Sequence, residues 1–208
     1  MKFYLSSYKF GNEEYKTYLK DWIKTNNNKL VFISNSRDAK EDSLQKFEKI
    51  ESDRNLLREI GFEIYDIDLK NYFGNKEKLE SDLSSFNAYC LIGGNVFVLR
   101  QAMAYSGFDE FIKKRIFDEN YLYMGYSAGI CVLSKTLEGL EIVDEPINPY
   151  TNDNVLYDGL DVFDYSIVPH YKSNHPESEM VDKLVEYLRR KNMKFKTLSD
   201  GDVIIEEK

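Results

Sequence analysis

Three short apolar runs restrict the fold of this chain more than any other feature: Leu30-Val-Phe-Ile-Ser34, Ala88-Tyr-Cys-Leu-Ile92 and Tyr121-Leu-Tyr-Met124. Continuous apolar runs of this length suit strands that are covered on both faces. Longer segments with helical spacing lie between and around them. Asn12 to Lys24 places Tyr15, Leu19 and Trp22 on one face. Glu41 to Ile60 places Leu44, Phe47, Ile50, Leu56, Leu57 and Ile60 in helical register and stops at Gly61, a good helix terminator. Lys76 to Leu83 reads as a helix, as does Val96 to Ile116, with a break near Gly107. Met1 to Ser6 and Phe62 to Leu69 read as further strands. Strands alternating with amphipathic helices predict an α/β fold with a mostly parallel sheet. The 208 residues fit one domain, 1–208, with no repeat, linker or low-complexity tract.

The third run leads directly into Gly125-Tyr-Ser-Ala-Gly129, after which Ile130 to Leu133 continues apolar. The order is strand, sharp turn, helix, with Ser127 at the apex. Glycines on both sides let the backbone bend and keep side chains clear of the serine oxygen. This is the G-x-S-x-G nucleophile elbow, and it points to attack by a serine hydroxyl. Ligands of such sheets bind at the carboxyl ends of strands. Ser127, Gly93-Gly94 and the segment after Val168 all fall at predicted strand ends.

The second half is less regular. Asp144-Glu-Pro-Ile-Asn-Pro-Tyr150 is loop chemistry, and Tyr165 to His170 reads as a strand ending at a histidine. Glu177 to Arg190 is a helix. Phe195 to Leu198 and Val203 to Ile205 flank the turn Ser199-Asp200-Gly201 and are expected to close the fold as a hairpin.

A net charge of −8 and a pI near 5.0 argue against nucleic-acid binding, which needs a basic face. No apolar run approaches a membrane span, and Met1 to Tyr8 is too short an apolar stretch for a signal peptide. Cys90 and Cys131 each sit inside an apolar run, which is no disulfide framework and suits a reducing, cytoplasmic setting.

A serine hydroxyl needs a base. The only histidines are His170, at a predicted strand end, and His175, in the loop before Pro176 and nearer solvent. His170 is the leading base. The base needs an orienting acid, for which Asp200 and Asp144 are both candidates. Ala128 N–H, next to the nucleophile, and Gly94 N–H are the natural oxyanion donors. The spacing of His170, His175 and Glu177 is not a recognised ligand pattern, so no metal is expected, and no cofactor either.

Gly93-Gly-Asn-Val-Phe97, Gly125-Tyr-Ser-Ala-Gly129, Asp144-Glu-Pro-Ile147 and Val168-Pro-His170 resemble, in this order, the motifs of the dipeptidase E (aspartyl dipeptidase) family of serine peptidases. Cyanophycinases are more distant relatives. The resemblance spans about Ala88 to Ile205. It implies a three-layer αβα sandwich with a mostly parallel central sheet, like the class I glutamine amidotransferases (flavodoxin-like), with serine in place of cysteine at the elbow. Here Cys131 lies one helical turn after the apex. The resemblance assigns Ser127 as nucleophile and His170 as base. The family acid is a Glu in a Pro-Glu-Gly turn, which Asp200 matches with one methylene fewer, while Asp144 matches another aspartate near the site. Aspartyl dipeptidases hold the substrate's Asp side chain with an arginine on the helix after the histidine. His175 to Asp182 contains no arginine and is acidic. Strict Asp specificity is therefore expected to be lost. Glu177 or Glu179 could instead hold a substrate ammonium, although both also suit the first turn of a helix. Asn95 is a further candidate for substrate binding.

The expected function is a cytoplasmic serine peptidase acting on small peptides through an acyl-enzyme, as a monomer or homodimer. An esterase or amidase with the same machinery is the alternative. A non-catalytic α/β binding protein is the third reading, and it predicts a His170 too far from Ser127 to hydrogen-bond.

Overall fold

In the computed structural model, which describes residues 1–208, eight strands and seven helices follow one another along the chain. The first half runs β1 (Lys2–Ser6), α1 (Glu13–Thr25), β2 (Lys29–Ile33), α2 (Leu44–Ile60), β3 (Glu63–Asp66), α3 (Lys76–Leu83) and β4 (Ala88–Leu91). The second runs α4 (Val96–Ser106), α5 (Phe108–Lys113), β5 (Leu122–Tyr126), α6 (Ala128–Cys131), β6 (Ser166–Val168), α7 (Ser178–Arg190), β7 (Phe195–Thr197) and β8 (Val203–Glu207). Six strands form one sheet in the order β3-β2-β4-β5-β1-β8. All pairings in it are parallel except β1 with β8. The fold class is the expected α/β one.

Successive side chains of a strand point to opposite faces, so a strand covered on both faces must be apolar at every position. That is what the three runs encode. Val31, Ile33, Tyr89, Leu91 and Tyr123 enter the larger core, together with α3 to α7. Leu30, Phe32, Cys90, Leu122 and Met124 enter the smaller core, with Leu19 and Trp22 of α1 and Ile50, Leu57 and Ile60 of α2. The helical segments are delimited by the residues that end them. Asn12 caps α1 by accepting from Glu14 and Tyr15 N–H, and Asn95 caps α4 by accepting from Val98 N–H. The break expected near Gly107 separates α4 from α5, with Gly107 in the left-handed region at φ 79°.

Two expectations need correction. Leu44 and Phe47 do not reach the core; they are 75% and 52% exposed, and the buried face of α2 begins only at Ile50. The closing hairpin does not form either. β7 pairs in parallel with β6 in a separate two-stranded sheet, whereas β8 pairs antiparallel with β1. Ser199 to Gly201 therefore carries the chain from one sheet to the other. No helix is long and apolar enough to cross a membrane.

The tightest backbone approach in the sheet concerns the elbow. A Cβ on Gly125 would lie 2.5 Å from the carbonyl oxygen of Leu91, and one on Gly129 would lie closer still to the same atom. Both glycines are thus required by the neighbouring strand. Gly129→Ala is expected to destabilise the fold by about 1–3 kcal/mol, read as a lower midpoint of urea unfolding. A variant as stable as the parent would show that β4 does not press on the turn.

Candidate active site

Parallel pairing places the carboxyl ends of β2, β4, β5 and β1 side by side, and the chain leaving each contributes to one cleft of about 500 Å³. Ser36 and Arg37 come from β2, Gly93 and Gly94 from β4, Ser127 from β5, and Tyr8 from β1. His170 joins them from the end of β6. This is the sheet edge at which an α/β fold binds ligands.

Ser127 holds φ 50° and ψ −120°, a left-handed conformation that a residue with a side chain adopts at a cost of about 1–3 kcal/mol. It precedes α6, and its carbonyl accepts from Ile130 and Cys131 N–H. Its side chain is turned to the cleft. The neighbouring Tyr126 is buried, and its hydroxyl donates to Asp53 at 2.7 Å and accepts from Arg37 at 2.9 Å. Arg37 also reaches Asp53 at 3.3 Å and the Gly93 carbonyl at 3.1 Å. This network braces the elbow and the Gly93-Gly94 turn against each other. Burial pushes the Asp53 carboxyl upward, and the Tyr126 hydroxyl and Arg37 pull it back.

Gly94 is held by the Ser36 loop. A Cβ there would clash with the Ser36 carbonyl, which accepts from Asn95 N–H at 2.7 Å. The N–H groups of Gly94 and Ala128 donate to no protein atom. Asn95 and Asp144 are occupied at the start of α4. Asn95 caps it and donates to the Glu145 carbonyl, and Asp144 accepts from Val96 N–H at 2.8 Å. Desolvation, opposed by that Val96 bond and reinforced by Glu177, raises the Asp144 carboxyl to about 7.

His170 Nδ1 lies 2.7 Å from Asp200 Oδ1. The carboxylate accepts, so Nδ1 carries the proton and Nε2 is free to take one. Of the two candidate acids, the contact falls to Asp200; Asp144 makes no bond to His170. Ser7, just past β1, ties the pair together by accepting from His170 N–H at 2.8 Å and donating to Asp200 at 2.9 Å. Ser178 donates to the His170 carbonyl, and Ser173 accepts from Asp200 N–H. His170 itself sits at φ 62° and is 2% exposed. No hydrogen bond joins Ser127 Oγ to His170, although both open on the same cleft.

His175 does not stand apart in solvent. Its ring stacks on that of His170, with centroids 3.7 Å apart and planes 8° from parallel, and the edge of Tyr8 meets both. With Glu177 the two histidines bring ligand atoms within 4.8 Å of one another. An imidazole donates its lone pair in the ring plane, so two stacked rings aim along parallel planes and do not converge on one ion. His175 Nδ1 also accepts from Glu177 N–H. Glu177 lines the cleft, whereas Glu179 is exposed and pairs with Lys183 at 3.0 Å.

The reading of the sequence missed Ser7, buried behind the His170–Asp200 pair, and the cleft residues Lys9, Arg37, Lys40, Lys49 and Asp53. Each is an ordinary polar residue with no motif around it. Only the topology, which sets Ser7, Lys9 and the segment after β2 at the carboxyl edge, could have nominated them.

The family model of peptidase family S51 matches residues 3–207. An uncharacterized peptidase of Listeria monocytogenes (serovar 1/2a) is 27% identical over 136 residues, 65% of this chain and 63% of that protein. The matched stretch thus spans less than two thirds of that relative. A crystal structure of a candidate peptidase E protein from Listeria monocytogenes EGD-e superposes with a TM-score of 0.75 at 21% identity, covering 100% of this chain and 98% of the other. A peptidase from an acI-B1 Actinobacterium gives a TM-score of 0.68 at 13% identity, over 99% of this chain and 83% of that one. At such identities the two structures speak for the fold.

Burial lowers the imidazole of His170 below its ordinary value near 6.5; Asp200 opposes this and His175 reinforces it. The neutral ring is therefore the form present at and below neutral pH, down to the depressed pKa. With only two histidines, NMR titration can follow each. The His170 signal is expected to titrate below about 6.5, and His175→Ala, which removes both a covering ring and a like charge, is expected to move it upward. A titration that His175→Ala leaves in place would show that the stack has no influence on the ring.

Proposed function

The chain belongs to peptidase family S51, and on that premise we propose that it is a serine peptidase that cleaves small peptides through an acyl-enzyme. The observation that carries this reading is the placement of buried His170, 2.7 Å from half-buried Asp200, on the cleft into which the strained Ser127 opens.

Ser127 Oγ attacks the peptide carbonyl carbon and gives its proton to His170 Nε2. Asp200 keeps the proton on Nδ1 and stabilises the imidazolium that forms. The carbonyl oxygen, now an oxyanion, takes the unspent N–H groups of Gly94 and Ala128. Collapse breaks the C–N bond, and His170 returns the proton to the departing amine. Water then repeats the sequence on the ester, leaving free carboxylate and Ser127 restored. The mechanism requires Ser127 Oγ and His170 Nε2 to come within hydrogen-bond reach when substrate binds, as catalytic hydrogen bonds commonly tighten at that stage.

Glu177, on the cleft, is suited to a substrate ammonium, and Glu179 is not, since it turns to solvent and Lys183. The stretch from His175 to Asp182 holds no arginine to clamp an aspartate side chain, and the arginines of α7, Arg189 and Arg190, stand in its last turn and do not line the cleft, so strict Asp specificity is not part of this proposal. The buried, unpaired Cys90 and Cys131 are in keeping with a reducing, cytoplasmic setting.

Ser127→Ala is expected to abolish hydrolysis of short peptides and labelling by a fluorophosphonate, with the fold unchanged by circular dichroism. Asp200→Asn is expected to lower kcat about a hundredfold or more, because the ring loses its tautomer and its counter-charge. Undiminished turnover by the Ser127 variant would remove this function.

A further inference from the structure

The chain carries a net charge of −8, yet one wall of its cleft is basic. Lys9 follows β1, Arg37 and Lys40 follow β2, and Lys46 and Lys49 stand on the first turns of α2. The opposite wall is acidic, formed by Asp144, Glu145 and Glu177. Two of the five cations are spoken for. Arg37 is bound by Asp53 and Tyr126, and Lys46 is held by Asp42 at 2.9 Å. Lys9 donates to the Ser52 hydroxyl at 3.2 Å and lies over the Tyr8 ring, with no carboxylate partner, and neither Lys40 nor Lys49 has a side-chain partner. The placement on α2 is also unfavourable in itself. Lysines at the start of a helix oppose its dipole, and this helix has no acidic residue in its first turn to offset them. Lys40 acts across the cleft as well, lowering the Asp144 carboxyl against its desolvation.

We propose that Lys9, Lys40 and Lys49 form a binding wall for a carboxylate of the substrate, facing the acidic wall that receives its ammonium. The proposal rests on the serine-peptidase reading and adds to it a substrate class, short peptides that carry both charges. A polyanion such as a nucleic acid would be repelled by Asp144, Glu145 and Glu177 within the same 500 Å³ space. A zwitterion satisfies both walls at once. The carboxylate could be the C-terminus of the peptide or an acidic side chain; the chemistry of recognition is the same.

Binding can be measured without turnover by calorimetry on the Ser127→Ala protein, with three probes. Trialanine carries a terminal carboxylate, Ala-Glu-Ala amide a side-chain carboxylate, and trialaninamide neither. One or both of the first two are expected to bind about tenfold more tightly than trialaninamide. The gap is expected to narrow as salt rises from about 0.05 to about 0.5 M, since the wall is open to water. It is expected to vanish in a variant that combines Lys9→Gln, Lys40→Gln and Lys49→Gln. The probe that keeps the advantage identifies the carboxylate. Equal affinity for all three probes, binding of none, or an advantage that survives the triple substitution overturns the proposal. Fluorophosphonate labelling of Ser127 in the parent protein, which keeps all three lysines, separates the two ideas. Labelling without carboxylate preference removes the wall and keeps the nucleophile, whereas preference without labelling does the reverse.

Discussion

One carbonyl oxygen, that of Leu91, determines most of what the site can be. β4 and β5 are neighbours, and the turn after β5 folds back so closely that both Gly125 and Gly129 pass over this atom. Only a chain without side chains at these two positions can make that pass. Having made it, the backbone reverses at Ser127 in a left-handed conformation and enters α6 with Ala128 N–H unspent. Tyr123 adds a lock from the core side by donating to the Gly129 carbonyl at 2.7 Å. Two residues beyond Leu91 the same strand supplies Gly93, whose space is in turn closed by the ring of Tyr126. The elbow and the turn opposite it are thus two sides of one contact between adjacent strands.

The other half of the site is made by polar lacing rather than by close approach. His170 lies at the end of β6 in the small sheet, Asp200 lies in the crossover to the large one, and Ser7 lies at the end of β1. A single hydroxyl therefore connects both sheets and both members of the pair. Burying such groups is favourable only when each finds a partner, and here each does. The stacked His175 and the edge of Tyr8 close the remaining faces of the imidazole, which explains why its burial outweighs the pull of Asp200.

The parts of this structure that were legible in the sequence are those dictated by local pattern. Apolar runs marked the buried strands because both faces of the sheet are covered, and the glycines of the elbow marked the turn because no other residue fits beneath Leu91. His170 stood out because histidines are scarce. The hairpin misled because the signal at Ser199-Asp200-Gly201 reports only that the chain turns, not which strands its flanks will join. Leu44 and Phe47 misled because helical spacing does not say where along a helix its buried face begins. Ser7, Asp53 and the lysines were invisible for another reason. Their meaning is conferred by residues far along the chain, 73 positions from Asp53 to Tyr126 and 193 from Ser7 to Asp200, and nothing in their own neighbourhoods marks them. The acidic stretch after His175 gives the cleft only Glu177 beside His175, whereas the lysines of the other wall come from the first fifty residues.

The position of Asp200 in the crossover gives the site an order in time. It is among the last nine residues of the chain, and β8, which anchors its turn by pairing with β1, ends at Glu207. On a ribosome the elbow and both histidines emerge long before their acid does. Until β8 has been released and docked beside β1, the imidazole has no carboxylate to fix its tautomer. A growing chain thus carries its proposed nucleophile and base before the carboxylate that orients the base is in place.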